Sequence, residues 1–489
     1  MQNEFFKKVD HHFVDKLGLG TSFDLGVRNL HILGHDVNLY YVNGLTESLY
    51  IIELIKELVN LNHSKGRLKT EIGEFVKNSI VYEAVEESDK MDDLVKQLLS
   101  GLAILVIEGE PIAYIIDVRS YPGRQPEEPD TEKVVRGSRD GFVENIIVNT
   151  ALTRRRIRDE RLRFEMLTVG RRSKTDVAIG YIKELANPTL IDVIKNELNQ
   201  IDIDGITMAD KTIEEFIMQQ GYNPYPLVRY TERADIAAVH LLEGHVIIYI
   251  DTSPSVIITP TTYFHHVQHA EEFRQSPAVG TFVRWVRFFG IIASLFLVPL
   301  WFLFSQQPEL LPDALSFIGP SEQSEIPLIV QLIIADMGIE FLRIAAIHTP
   351  TPLSTAMGLI AAVLIGQIAI DVGLFNSEVI LYISLAAIGT FATPSYELSV
   401  ANKIVRMMLV LIVAIFKLPG LIIATTLYMI LMVRLRPLNA PYLWPLLPFN
   451  PKAFMHIFLR RPIPGSIYRP TIVHPLNRKR QKVVRTFDN

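Results

Sequence analysis

The sequence predicts an α/β cytosolic head of two small subdomains, followed by an all-α polytopic membrane domain. Charged residues are frequent over roughly the first 285 residues and then almost vanish from four long apolar runs. A helix needs about 20 apolar residues to cross a bilayer, so four such runs indicate repeated crossing. The last part of the chain, Arg434–Asn489, has 11 Lys and Arg residues and a single acid, Asp488. This composition is typical of an exposed basic tail.

The head divides at a stretch rich in proline and charge, 121–130, into residues 1–135 and 136–275. Each part contains a Glu-Gly pair followed by an apolar run that ends in tyrosine, at Ile107–Tyr114 and Leu242–Tyr249. Both patterns predict a β-hairpin. The short match is explained either by a diverged duplication or by chance convergence of two hairpins.

Each predicted hairpin follows a helical pattern. Asn187 and Pro188 are the residue types expected at the N-cap and the first position of a helix. In the first subdomain, apolar residues recur at helical spacing at Leu49, Ile52, Ile55, Leu58 and Val59. We therefore expect helices packed against the strands in both subdomains.

The composition excludes several kinds of chemistry. The chain has no cysteine, which excludes disulfides, zinc fingers, iron–sulfur clusters and thiol nucleophiles. It also lacks the phosphate-binding glycine loop, the serine elbow and the zinc-protease helix motif. The group His265, His266 and His269 has no convincing fourth ligand and predicts a solvated histidine patch. We expect no enzymatic activity, no cofactor and no metal.

Six arginines lie within Asn149–Phe164, together with two acids. They predict either a surface that docks anionic lipid or a partner, or a solvated helix face that pairs with the acidic head. We expect no binding to nucleic acid, because the formal net charge is −5 and no binding motif accompanies the arginines.

The membrane domain is predicted at 276–433. Arginines precede its first span, and the loop Ser305–Glu325 has four acids and no Lys or Arg. The positive-inside rule therefore places the head and the basic tail, 434–489, in the cytosol, which requires an even number of crossings. The spans are predicted near 288–304, 354–374, 378–396 and 404–433.

A further apolar stretch, 326–347, contains Asp336, Glu340 and Arg343. Their spacing places them in one narrow stripe of a helix. Charges facing lipid cost at least about 2.5–3.5 kcal/mol each, so the stripe needs water, protein or a polar cavity. We expect an amphipathic helix on the outer surface, with its charges facing either solvent or a channel vestibule or neighbouring subunit.

Other residues of the membrane domain predict packing and bending. Small residues at four-residue intervals favour close helix packing, at Gly358, Ala362 and Gly366. On the opposite face, Gln367 and Asp371 are candidates for lining a channel. The last run, too short to cross twice, contains Pro419 and Gly420, which predict a hinge.

Three segments resemble the A subunits of spore germination receptors: Arg139–Asn145, Phe391–Leu398 and Ala440–Phe449. The resemblance implies a protein of the spore inner membrane that forms ring-shaped homo-oligomers with a central ion path and works with other germination membrane proteins. One branch, which this chain resembles, is associated with release of dipicolinic acid. The family's motif falls on Pro394, Tyr396 and Glu397.

From these patterns we expect a channel or a channel-regulating subunit of the germination apparatus. One alternative is a membrane scaffold that does not conduct. Another is a secondary transporter, although transporters usually show inverted repeats and paired broken helices.

Overall fold

A computed structural model describes residues 2–63, 85–120, 137–319, 325–348, 366–465 and 467–481. In these residues the chain forms an α/β head with two sheets and a bundle of long helices. The first subdomain contains helices α1 (Gln2–His12), α2 (Ser48–Asn60) and α3 (Met91–Leu98). Its strands are β1 (Leu25–Ile32), β2 (His35–Val42), β3 (Val85–Ser88), β4 (Ala103–Ile107) and β5 (Ala113–Ile116).

The second subdomain has the same kinds of elements. Its helices are α4 (Ile146–Arg156), α5 (Pro188–Asn199), α6 (Ala209–Met218) and α7 (Ala234–Glu243). Its strands are β6 (Leu162–Val169), β7 (Thr175–Ile182), β8 (Arg229–Thr231), β9 (Val246–Ile250) and β10 (Val256–Thr259). Asn187 caps α5 by accepting a hydrogen bond from the Thr189 amide, and Pro188 is its first residue, as predicted.

The two sheets repeat one topology. Their strand orders are β1-β2-β4-β5-β3 and β6-β7-β9-β10-β8, and the second is the first with each number raised by five. The registered strand pairs in both are antiparallel, including β1–β2 and β6–β7. A shared order of five strands favours duplication over chance convergence.

The two Glu-Gly pairs from which the hairpins were predicted do not, however, occupy equivalent positions in the two subdomains. Glu108-Gly109 joins β4 to β5, whereas Glu243 ends α7 and Gly244 is its C-cap, so a hairpin beginning at Leu242 is wrong. By position in the sheet, β9 corresponds to β4. The glycine that corresponds to Gly244 (φ 100°) is Gly101 (φ 92°), because both precede these strands in a left-handed conformation that favours glycine.

Helices cover both faces of each sheet. In the second subdomain, Leu152 of α4 packs on one face and Ile194 of α5 on the other. In the first, the buried face of α2 is formed by Ile51, Leu54 and Leu58. The predicted stripe contains Ile52 in place of Ile51 and is therefore wrong by one position, since Ile52 is 59% exposed. The correct stripe has the same period, and periodicity alone does not decide between two adjacent apolar stripes.

Helix α4 lies between the subdomains. Its Ala151 packs in the core of the first subdomain, and the Arg154 Nε atom lies 2.8 Å from Asp24 Oδ2. Both charged side chains are 1% exposed. The expectation of a lipid-docking or solvated arginine face is therefore wrong for Arg154, which joins the two subdomains; Arg155, next to it, is exposed.

Short helices α8 (Tyr263–Val267) and α9 (Ala270–Arg274) lead into the bundle. The bundle comprises α10 (Pro277–Gln306), α11 (Leu328–His348), the short α12 (Ala369–Asp371), α13 (Ser377–Phe391) and α14 (Tyr396–Arg434). Within the described residues, α10 and α14 are long and apolar enough to cross a membrane, and α13 is apolar but shorter. The predicted span at 354–374 lies mainly outside the described residues.

Helix α14 is a hairpin and not a single rod. Its helical conformation is interrupted at Lys417 (φ 50°, ψ −137°), two residues before Pro419. The Tyr225 hydroxyl lies 3.2 Å from Asn402 Oδ1 and 3.2 Å from the Tyr428 hydroxyl. In a straight helix these two residues would be about 39 Å apart at 1.5 Å per residue. The chain therefore reverses near Lys417, whereas the sequence predicted one run with a hinge at Pro419 and Gly420.

The first leg of this hairpin is 396–416 and the second is 418–434. They are roughly 31 Å and 25 Å long at 1.5 Å per residue. The sequence-based estimate began the helix at Ile404 and missed its first turns, which Ser395 caps by accepting a hydrogen bond from the Leu398 amide. That Pro419 and Gly420 act as a moving hinge stays a prediction.

The helices run lengthwise beside one another. At the end remote from the head, the Leu418 amide donates to Gln307 Oε1, just beyond α10. Towards the head, Gly290 near the middle of α10 meets Gly389 near the end of α13, where a Cβ added at Gly389 would collide with the backbone of α10. Helices α10 and the first leg thus leave the head side by side, while α13 runs antiparallel to them.

The tail returns to the head. The Arg469 Nε atom donates to Leu242 O at 2.7 Å, and the Leu476 amide donates to Leu185 O at 3.1 Å. Between them, Ile472 and Val473 are buried. The basic tail, predicted at 434–489 as a separate segment, is in its described part packed on the second subdomain, with a last helix α15 (Pro451–Phe458) before it.

Candidate functional site

A cluster of charged side chains lies between α11 and the first leg of α14. The Arg406 Nη2 atom lies 2.5 Å from Asp336 Oδ1, and the Lys403 Nζ atom lies 3.5 Å from the same oxygen. Lys403 also lies 2.8 Å from Glu340 Oε2 and donates to the Asp336 carbonyl. Acids four residues apart on α11 thus face bases three residues apart on α14, one helical turn in each case.

The cluster extends towards the head through Arg343. Its guanidinium pairs with Glu340 and lies 4.8 Å from the centre of the Tyr396 ring, a cation–π contact. It also approaches the Ser399 hydroxyl. We call Asp336, Glu340, Arg343, Lys403 and Arg406 the charge network.

The Asp336–Arg406 pair lies near the middle of the bundle. Arg406 is about 15 Å along the first leg from Tyr396 at 1.5 Å per residue, close to half of its length. Its Nη1 atom donates to Ser294 O of α10 at 2.9 Å, so the guanidinium binds two helices at once. Buried ionic groups are stable only when paired and hydrogen-bonded, and the geometry provides both.

The structure changes how the predicted stripe is interpreted. Asp336, Glu340 and Arg343 do share one helix face, but Asp336 is 4% exposed and faces the chain's own α14. A solvent-facing surface helix is therefore wrong for α11. A role of these three residues in lining a channel or contacting another subunit stays a prediction.

Sequence reasoning missed the partners Lys403 and Arg406. Arg406 lay within a run whose average composition is apolar, and Lys403 stood one residue before its predicted start. The sequence did contain one signal. Lys403 and Arg406 are about one helical turn apart, as are Asp336 and Glu340, so the two pairs can face each other on neighbouring helices. That signal does not identify the partner helix, which lies some 60 to 70 residues along the chain.

A second polar contact joins the bundle to the head. The Lys211 Nζ atom of α6 lies 2.6 Å from Glu214 Oε2 and 3.8 Å from Glu397 Oε1 at the start of α14. Although burial opposes the charged form, the hydrogen bond to Glu214 raises the pKa of Lys211. Burial, reinforced by Glu214, also raises the pKa of Tyr230, which donates to the same carboxylate. A charged lysine therefore links head and hairpin.

The predicted solvated histidine patch is wrong. His266 is buried, and the His265 ring packs with those of His240 and His245 at centroid distances of 5.9 and 5.3 Å. Burial lowers the pKa of His245 to about 4 and that of His266 to about 3, so both are neutral at pH 7. In the described part of the chain, no three His, Asp or Glu residues are arranged to hold a metal ion.

Residues 14–472 match the family model described as Bacillus/Clostridium GerA spore germination protein. The chain belongs to this family. The resemblance drawn from the three sequence segments is therefore confirmed. The match covers the head from Val14 onwards, the bundle and most of the described tail.

Two relatives and one solved structure illustrate the GerA family. The chain is 61% identical to the Stage V sporulation protein AF of Bacillus subtilis (strain 168), over 97% of this chain and 96% of the relative. It is 26% identical to the Spore germination protein KA of the same organism, over 95% and 86%. The crystal structure of the N-terminal domain of the A subunit of the Bacillus megaterium spore germinant receptor GerK3 covers 52% of this chain and 93% of that chain. It aligns with a TM-score of 0.41 and 27% identity.

In this GerA protein, the motif residues lie where α14 begins. Pro394 precedes the N-cap Ser395, Tyr396 stacks under Arg343, and Glu397 approaches Lys211. Ser395 caps the helix, and Glu397 contacts the head through Lys211. The motif thus connects the charge network to the contact between head and hairpin.

The remaining predicted site residues are not part of the network. Gly358 and Ala362 lie outside the described residues, and among the residues that the structure describes a Cβ added at Gly366 would meet nothing within 4 Å. Gln367 and Asp371 are exposed in the described structure. Their proposed roles in packing and channel lining stay predictions.

Proposed function

We propose that this GerA-family protein is a polytopic membrane subunit of the spore germination apparatus, and that it forms or regulates an ion or solute path. Family membership supports the role in germination. The observation that carries the path is the charge network, whose Asp336–Arg406 pair is buried midway along a mainly apolar bundle. Ionisable residues at such depth in membrane proteins are rare and usually mark ion or proton paths.

We propose six crossings in place of the four predicted from sequence. The two legs of α14 and the helix α11 each have about the length of a 30 Å hydrocarbon core. Together with α10, α13 and the predicted span at 354–374, they make six. An even number keeps head and tail on the same side, and the contact between Arg469 and Leu242 supports this arrangement.

The proposed location and partners are inferred from membership of the GerA family. We propose the spore inner membrane, with both termini cytosolic, and a role in release of dipicolinic acid. We further propose a homo-oligomeric ring that works with other germination membrane proteins and has no enzymatic activity. Exposed apolar side chains on α10 are available to lipid or to a second copy: Phe282, Phe289 and Ile292.

Flux measurements on the purified full-length protein in liposomes test this proposal. We expect ion flux above that of empty liposomes, and a severalfold change in flux in Asp336→Asn. The matched control is Asp313→Asn, because Asp313 is exposed in the loop after α10 and belongs neither to the network nor to the candidate channel-lining residues. Reconstituted, correctly assembled protein without flux would reject conduction and favour the scaffold.

A further inference from the structure

The charge network borders a cavity inside the bundle. The cavity has a volume of about 130 Å³ and lies between α10, α11, α13 and the first leg of α14. Apolar side chains form most of its wall, and one ion pair completes it: Val298, Leu332, Ile383, Val410, Asp336 and Arg406. Since about 10–15 Å³ of such space is enough to hold one water molecule, the cavity has room for a small ion with several waters.

The network has more positive than negative charge. Arg343, Lys403 and Arg406 carry three positive charges, whereas Asp336 and Glu340 carry two negative ones. The other acids of the bundle helices lie elsewhere: Asp371 is exposed, Glu378 is in the first turn of α13, and Glu397 contacts Lys211. An excess of one positive charge in a low-dielectric interior favours binding of an anion.

Arg406 also has a free donor. Its Nη1 atom donates to Ser294 O and its Nη2 atom to Asp336 Oδ1. Its Nε atom is buried and has no hydrogen-bond partner among the described residues. A buried donor on a charged group is costly without a partner, and an acceptor beside the guanidinium would satisfy it.

We propose that this cavity binds one small monovalent anion, of the size of chloride or bromide, through the Arg406 guanidinium. The mainly apolar wall favours an anion that loses its hydration water readily, and the excess of one charge makes it monovalent. A cation is disfavoured because Asp336, the carboxylate in the wall, already has Lys403 and Arg406 beside it. If the proposed path exists, the site also makes chloride-like anions its permeant class; that part rests on the proposed function.

Binding of radioactive chloride to the purified full-length protein in detergent tests the site. We expect saturable binding that bromide displaces and that gluconate does not, because the hydroxyl groups of gluconate would lose their hydration against the apolar wall. Arg406→Lys keeps the charge but removes the guanidinium donors, so we expect binding at least roughly tenfold weaker. Val410→Phe fills the cavity without touching a charge and should have the same effect.

Arg434→Lys is the matched control, since it makes the same exchange at an exposed arginine at the end of α14, outside the network. It should bind chloride like the unmodified chain. Monodisperse protein without saturable binding would overturn the proposal, as would unchanged binding in both Arg406→Lys and Val410→Phe. Chloride binding without flux in liposomes would reject the channel and keep the site; flux without chloride binding would reject the site alone.

Discussion

Asp336 and Arg406 form a buried ion pair between two helices of the bundle, with 2.5 Å between Oδ1 and Nη2. The acid belongs to a helix that begins at the end remote from the head, and the base belongs to the first leg of a hairpin that begins beside the head. The pair therefore fixes how two antiparallel helices register against each other.

Removing one partner should destabilise the protein far more than removing both. We expect Asp336→Ala to lower the free energy of unfolding by about 3–5 kcal/mol, because it leaves a buried guanidinium unpaired. The double variant Asp336→Leu, Arg406→Leu should lose much less. Thermal unfolding in detergent, followed by tryptophan fluorescence, measures both. Equal losses in the two variants, or a similar loss in the exposed control Asp371→Ala, would contradict this assignment.

The pair Arg154–Asp24 should hold the two subdomains together. Arg154→Met removes a charge that is buried against Asp24, and we expect a loss of about 3–5 kcal/mol for the unpaired carboxylate. Limited proteolysis should then cut the head faster. Arg155→Met changes the adjacent, exposed arginine of the same helix and should leave the rate unchanged. Identical rates in both variants would show that Arg154 does not join the subdomains.

The hairpin in α14 can be tested by crosslinking. The chain has no native cysteine, so Asn402→Cys with Tyr428→Cys introduces the one possible pair. We expect a short bifunctional thiol reagent to join them, and mass spectrometry to find the linked peptides. Asn402→Cys paired with Ile415→Cys, which lies near the tip of the same leg, is the negative control. A straight helix would give no product for either pair.

The buried histidines should make the head sensitive to acid. Their pKa values in the folded chain lie below the ordinary value of 6.5, so the unfolded chain binds protons that the folded head excludes. Stability is then complete above pH 6.5 and is lost as the pH falls from 6.5 towards 4. The expected slope is about 1.4 kcal/mol per pH unit for each such histidine.

Thermal unfolding between pH 7.5 and 4.5 measures this slope. His245→Gln should reduce it, because one buried imidazole is gone, whereas His474→Asn changes an exposed histidine and should not. The same slope in His245→Gln as in the unmodified chain would exclude His245 as a contributor.

Local patterns in the sequence predicted local structure well. The cap at Asn187, the shared face of Asp336, Glu340 and Arg343, and the break beside Pro419 all depend on residues within a few turns of each other. Contacts between distant segments were not predictable in this way. The pairing of Asp336 with Arg406 requires knowledge of which helices are neighbours, and an apolar average over the last run concealed Arg406.

The same distinction explains the errors in the head. The Glu-Gly match identified two related halves. However, Glu108-Gly109 lies in a turn between two strands, whereas Glu243-Gly244 lies at the end of a helix. Two predictions of solvated side chains were also wrong, because the folded chain buries both Arg154 and His266. Both groups looked solvated because their partners or covering residues come from other parts of the fold.

The segment around Ile472 and Val473, held on the second subdomain, has a mechanical consequence. The bundle is tethered to the head at its entry, through α9, and again after its exit, through the tail. Because it is joined to the head at both positions, the bundle cannot rotate freely about a single linker. Tilting of the head should therefore also tilt the bundle, because no single flexible linker absorbs the motion.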